Sequence, residues 1–160
     1  MEPVINWHTG AGEKIEYEDI LKVVRAHAED GGTIHIGTDS FIRKKKKCTF
    51  STVIALHNLE EKKGGKYFYY KENVDPRSFA SMMYRITTEV QKSIVLACKL
   101  VEDIPDASIE LHMDISPKHA GEGTSPLADS LTGQARGMGF DYRIKPDAFA
   151  ASCIADKHSK

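Results

Sequence analysis

Hydrophobic positions along this chain switch between two spacings, and the switches mark out its elements. From Tyr17 to Ala28, residues Ile20, Leu21, Val24 and Ala28 share one helical face, and Asp30 with Gly31-Gly32 ends the helix. Alternation follows. Thr33 to Asp39 predicts a strand with Ile34 and Ile36 on one side; Cys48 to His57 and Lys66 to Lys71 are β-branched and aromatic runs separated by the hairpin signal Gly64-Gly65. Helical spacing returns at Phe79, Met83, Ile86, Val90, Ile94, Ala97 and Val101, predicting one long helix from Pro76, with Asp75 as its N-cap and Pro105 as its stop. Ser108 to Asp114 alternates again. A loop rich in Gly, Pro and Ser precedes a helix over Pro126 to Gly137, a short strand over Tyr142 to Lys145 and a helix over Asp147 to His158. Met1 to Gly12 shows no clear period.

This order predicts an α/β fold. The first three strands form an antiparallel meander, whereas the last two are reached through helices, which implies parallel pairing. A five-stranded mixed sheet ordered 3-2-1-4-5, with the second strand antiparallel and helices on its faces, satisfies every connection. The 160 residues suit a single domain, 1–160, with an N-terminal helical extension over 1–32.

Composition narrows the setting. No apolar run is long enough to cross a bilayer, and the N-terminus lacks a signal pattern. Cys48, Cys98 and Cys153 lie far apart and form no C-x-x-C pair, as expected of reduced thiols in a cytoplasmic protein; Cys98 and Cys153 have apolar helical neighbours. The net charge of −1 is not that of a nucleic-acid coat protein, but it leaves room for an enzyme that touches nucleic acid along one stripe. Arg43 to Lys47 is the densest basic block, which makes Lys44, Lys45, Lys46 and Lys47 the candidate contacts to a phosphate backbone, against the plainer reading of a solvated turn.

The predicted topology brings acids together. Asp39 ends the first strand, Asp114 the fourth, and Asp147 follows the fifth, so all three are expected at the carboxyl edge of adjacent parallel strands, where open α/β sheets place their ligands. Glu89 flanks the apolar face of the long helix and can reach the same edge. Crowded carboxylates repel unless a cation or proton intervenes, and oxygen ligands suit Mg²⁺ or Mn²⁺. Such ions can stabilise the attacking and leaving oxygens of a phosphodiester. Taken singly, each acid also has a plainer reading: Asp147 after Pro146 as an N-cap, Asp39 and Asp114 as turn residues, Glu89 as a solvated helix residue.

The stretches "GTDS", "TTEVQKSIVLA", "HMDIS" and "PDAFAASCIADKH" resemble the ribonuclease H-like superfamily, and within it the YkuK-like bacterial branch, over about Thr33 to His158. The resemblance implies a metal-dependent nuclease acting on RNA, RNA-DNA hybrid or structured DNA, with Asp39, Glu89, Asp114 and Asp147 as catalytic and metal-binding residues. Asp156, nine residues further along the same helix, is the alternative to Asp147. In ribonuclease H the glutamate lies near its helix start, whereas here Glu89 falls about three turns past Pro76. A non-catalytic module that keeps this fold to bind nucleic acid or protein is the rival. His35 and His112 read as half-buried strand residues, and His119 as an exposed loop residue.

Overall fold

The computed structural model describes residues 5–43, 47–56, 66–79, 81–117, 123 and 125–160. Its strands are β1 (Trp7–Thr9), β2 (Lys14–Ile15), β3 (Thr33–Arg43), β4 (Lys47–Leu56), β5 (Lys66–Val74), β6 (Ser108–His112) and β7 (Asp141–Arg143). The helices are α1 (Tyr17–Glu29), α2 (Met82–Asp103), α3 (Ala128–Gly137), a π-helical stretch over Ala150–Ala155 and its continuation α4 (Asp156–Ser159).

All seven strands join one sheet ordered β2-β1-β5-β4-β3-β6-β7. The part β5-β4-β3-β6-β7 reproduces the predicted order: β4 is antiparallel to β3 and β5, and β6 and β7 run parallel to β3. The expected count of five is corrected to seven, because residues 7–15 fold into a hairpin that pairs β1 with β5 through His8↔Tyr69 and Thr9↔Phe68. Strands of three and two residues are too short to register as alternation. What holds them is tertiary. Trp7 is buried edge-on against Tyr70, with ring centroids 4.6 Å apart, and stacks on Tyr17 at 6.3 Å.

Strand alternation divides the sheet into two faces. Ile34 and Ile36 of β3, Ile54 of β4, Phe68 of β5 and Leu111 of β6 pack with Ile20 and Val24 of α1 and Val90 and Leu100 of α2 in the main core. The opposite face carries a smaller cluster, in which Val53 and Ala55 meet Ala150 and Ala155.

Several expected boundaries move. β6 stops at His112, so Asp114 lies two residues past the strand and not at its end; β5 runs on to Val74, and β7 covers Asp141–Arg143. β3 continues past Asp39 to Arg43 because its antiparallel partner stays paired through Arg43↔Lys47, so Asp39 lies inside a strand and not at its end. The long helix begins at Met82. Pro76–Phe79 is a separate 3₁₀ turn, in which the Asp75 carboxylate accepts from the Arg77 backbone N–H at 2.9 Å, and the cap of α2 is Ser81, whose Oγ accepts from Tyr84 N–H. Glu89 therefore sits about two turns into α2, closer to its start than Pro76 implied. Ser81→Ala is expected to destabilise the protein by about 1 kcal/mol, measurable as a lower urea midpoint with unchanged slope. Finally, the last helix starts only after a turn closed by Asp147 N–H donating to Ile144 C=O at 2.9 Å.

Candidate metal and nucleic-acid site

Period-two alternation sends His35, Gly37 and Asp39 of β3 to the face covered by the final helix, and Thr38 and Ser40 to the face covered by α2. The parallel pairing of β3 with β6 ends at Gly37↔His112. Two residues further on, Asp39 and Asp114 stand level, in the notch that β6 leaves beside the longer β3.

The final helix is seated on the sheet by close fits. A Cβ on Gly37 would lie 2.5 Å from Ala151 N and 2.7 Å from the Ala150 carbonyl carbon, so only glycine lets that backbone approach. The Ala150 N–H, in the helix's first turn, donates to His112 Nδ1 at 3.0 Å. Downstream, His158 stacks on Tyr69 at 3.7 Å, and its Nε2 hydrogen-bonds the Tyr67 hydroxyl at 2.9 Å.

This seating brings Asp156 and Ser159 onto Asp39. Ser159 Oγ–H donates to Asp39 Oδ2 at 3.2 Å, and the Asp39 and Asp156 carboxyls hydrogen-bond each other. Asp39 is only 6% exposed; burial, the Asp156 hydrogen bond and the charge of Asp114 push its carboxyl up to about 7. Glu89, 3% exposed, is raised well above the usual range, first by burial and then by the Asp39 charge, while a hydrogen bond from the Ser40 hydroxyl opposes the shift. Asp114 accepts from Ser152 Oγ at 3.3 Å and pairs with Lys145 Nζ at 3.5 Å; Asp156 pairs with Lys160 Nζ at 3.0 Å.

The structure thus sets Asp114 and Asp156 close enough to act on Asp39, and Asp39 and Asp114 close enough to act on Glu89. Asp147 stays outside: it is exposed, in the turn before the helix, and is not among the groups acting on Asp39 or Glu89. A helix seated along the sheet from Ala150 onward carries its later turn, and not the turn before it, to Asp39. Sequence reading also missed Ser159, Ser152 and Arg85. The hydroxyl next to Asp39 in "TDS" was the one visible signal, and it proves to be the donor to Glu89. Lys47 is exposed at the start of β4; Lys44, Lys45, Lys46 and His119 lie outside the described residues.

Carboxylates from β3, the residues after β6 and the final helix act on one another, and the charges of Asp39 and Asp114 act on Glu89 of α2, but among the described residues no three of these acids bring ligand oxygens within 4.8 Å of one another. Ser51, paired with Asp39 across β3 and β4 on the same face, is fully buried, and its Oγ has no hydrogen-bond partner among the described residues. A cation would replace the proton that burial forces onto Asp39.

Among the described residues, the potential ligand atoms that do lie within 4.8 Å of one another, and could hold a metal ion, belong to His35, Glu110 and His112. The hydrogen bonding of this cluster gives it another task. His112 Nδ1 accepts from Ala150, which leaves the ring proton on Nε2, and Nε2–H donates to Glu110 Oε1 at 2.7 Å. Arg143 Nε donates to the same oxygen at 2.8 Å. Burial, above all, holds the His112 imidazole down to about 4, so it is neutral near pH 7. With both ring nitrogens engaged in this way, the cluster fastens the final helix to β6.

A family model described as ribonuclease H-like matches residues 16–160. The chain is similar to the uncharacterised protein YkuK of Bacillus subtilis (strain 168), at 24% identity over 166 residues that cover 92% of each chain. No solved structure matches it.

Proposed function

Because the chain belongs to the ribonuclease H-like family, we propose that it is a divalent-metal-dependent nuclease acting on RNA, RNA-DNA hybrid or structured DNA. The observation that supports this reading is a set of acids acting on one another in buried surroundings: burial first, then Asp156 and Asp114, raise Asp39 to about 7, and burial first, then Asp39 and Asp114, raise Glu89. Asp39, Asp114 and Asp156 would hold Mg²⁺ or Mn²⁺, with Glu89 alongside. The bound cation supplies charge neutralisation for a phosphodiester and an acidified water. The Ser159 and Ser40 hydroxyls orient the Asp39 and Glu89 carboxyls, and the seated helix keeps bulk water from Asp39. The basic tip, of which Lys47 is described and exposed, meets the phosphate backbone. No helix among the described residues is long and apolar enough to cross a membrane.

One arrangement favours the rival binding module. Lys160 and Lys145 pair with Asp156 and Asp114, and Asp39 keeps its proton up to about pH 7, so the acids are partly neutralised without a cation. Cleavage assays with Mg²⁺ and Mn²⁺ on single-stranded RNA, hybrid and branched DNA separate the two. The nuclease reading expects Asp156→Asn to lose cleavage by on the order of a hundredfold and Asp147→Asn to keep it. No cleavage of any substrate by the native protein would leave the binding module. Equal loss in both variants would return Asp147 to the site.

A further inference from the structure

Most charged side chains around the notch are matched: Lys92 by Glu72 at 3.0 Å, Arg143 by Glu110, Lys145 by Asp114 and Lys160 by Asp156. Arg85 differs. It sits four residues before Glu89 on α2, and its charge acts on both the Glu89 carboxyl and the Cys48 thiol. Among the described residues it has no ion-pair partner, and its buried Nε–H has no acceptor.

Beside it, three rings step outward from the core. Fully buried Phe50 meets Phe79 edge-on at 5.0 Å, and Phe79 stacks on Tyr84 at 5.2 Å with planes 11° apart. Tyr84 is the outermost ring. It is 54% exposed, with Met82 and Met83 exposed around it. A ring anchored from below and open above is a stacking surface for a nucleobase, and a planar guanidinium is a bidentate match for a phosphate.

We infer that Arg85 and the Phe79–Tyr84 stack form a subsite for one unpaired nucleotide of a single-stranded nucleic acid, its phosphate on the guanidinium and its base on the Tyr84 ring. The subsite lies one helical turn from Glu89, so the strand it holds passes the carboxylate notch. Duplex bases are already stacked on their neighbours, which makes unpaired strands the favoured ligand. The inference rests on the proposed function for its class of ligand.

The test is fluorescence anisotropy of a labelled single-stranded oligonucleotide with the full chain in EDTA, where no cleavage intervenes, across a salt series. Arg85→Gln is expected to weaken binding and lower the log–log salt slope by about 0.7, the value of one released counterion on a single strand. Arg85→Lys keeps the slope but loses affinity, since the charge stays and the fork geometry goes. Tyr84→Ala weakens binding by about fivefold or more, whereas Tyr84→Phe stays near native, and duplex binding is indifferent to both. Native affinity and slope in Arg85→Gln and Tyr84→Ala would overturn the subsite even if the protein cleaves. Native protein that binds no single strand would overturn it too. The expected binding losses without any cleavage by the native protein would keep the subsite and sink only the nuclease reading.

Discussion

Asp39→Asn is expected to raise the melting temperature of the metal-free protein above pH 7 by about 4–8 °C, corresponding to about 2 kcal/mol in a chain of this size. The folded state holds the Asp39 proton up to about pH 7, against an ordinary value of 3.8. Between those values the folded protein keeps a proton that the unfolded chain has released, so stability falls as pH rises through this window and levels off above it. Asparagine cannot ionise and escapes that loss. The gap between variant and native should therefore be small near pH 4, grow to pH 7 and then stay constant. Mn²⁺ should reverse the ranking: it stabilises the native fold by preferential binding, and the variant lacks the carboxylate that supports this. Cleavage should fall by on the order of a hundredfold or more. A pH-independent difference in melting temperature, or a Mn²⁺ shift undiminished in Asp39→Asn, would mean that the acids form no cation site.

Gly37→Ala is the second large effect, with the opposite sign. In an ordinary strand, alanine for glycine gains about 0.5–1 kcal/mol from reduced unfolded-state entropy. Here the new methyl meets Ala150 and Ala151 backbone atoms at 2.5 to 3.0 Å, with no flexible side chain able to yield. The overpacking cost, about 1–3 kcal/mol or more, outweighs the gain, and relief requires the final helix to lift. Lifting it separates Asp156 and Ser159 from Asp39. The variant should therefore melt lower and lose most of its Mn²⁺ stabilisation together. Adding Asp156→Asn should cost little more, because the two changes act on one unit. A neutral or stabilising Gly37→Ala would show that the final helix does not rest on β3 as described.

Legibility in the sequence followed how locally each feature is specified. The central β5-β4-β3-β6-β7 order could be read because alternation, hairpin glycines and helical crossovers are short-range signals with few compatible topologies. The β1-β2 hairpin could not, since its few residues become a strand only by pairing with β5 and burying Trp7. Asp39, Glu89 and Asp114 could be nominated as a group because strand adjacency follows from topology.

What the sequence by itself determined, then, is the chemistry available: a carboxylate within one strand, one just past the end of its parallel neighbour, one on the long helix, and two in the C-terminal stretch. Which acid of the last helix meets Asp39 was a question for the tertiary structure. Nine residues apart, Asp147 and Asp156 cannot both reach one point of the sheet, and the predicted strand geometry favours Asp147. The choice is made by where that helix touches down, which depends on the missing side chain of Gly37 and on the His112 ring that accepts the Ala150 N–H. Those contacts join residues more than thirty positions apart, and no local period encodes them.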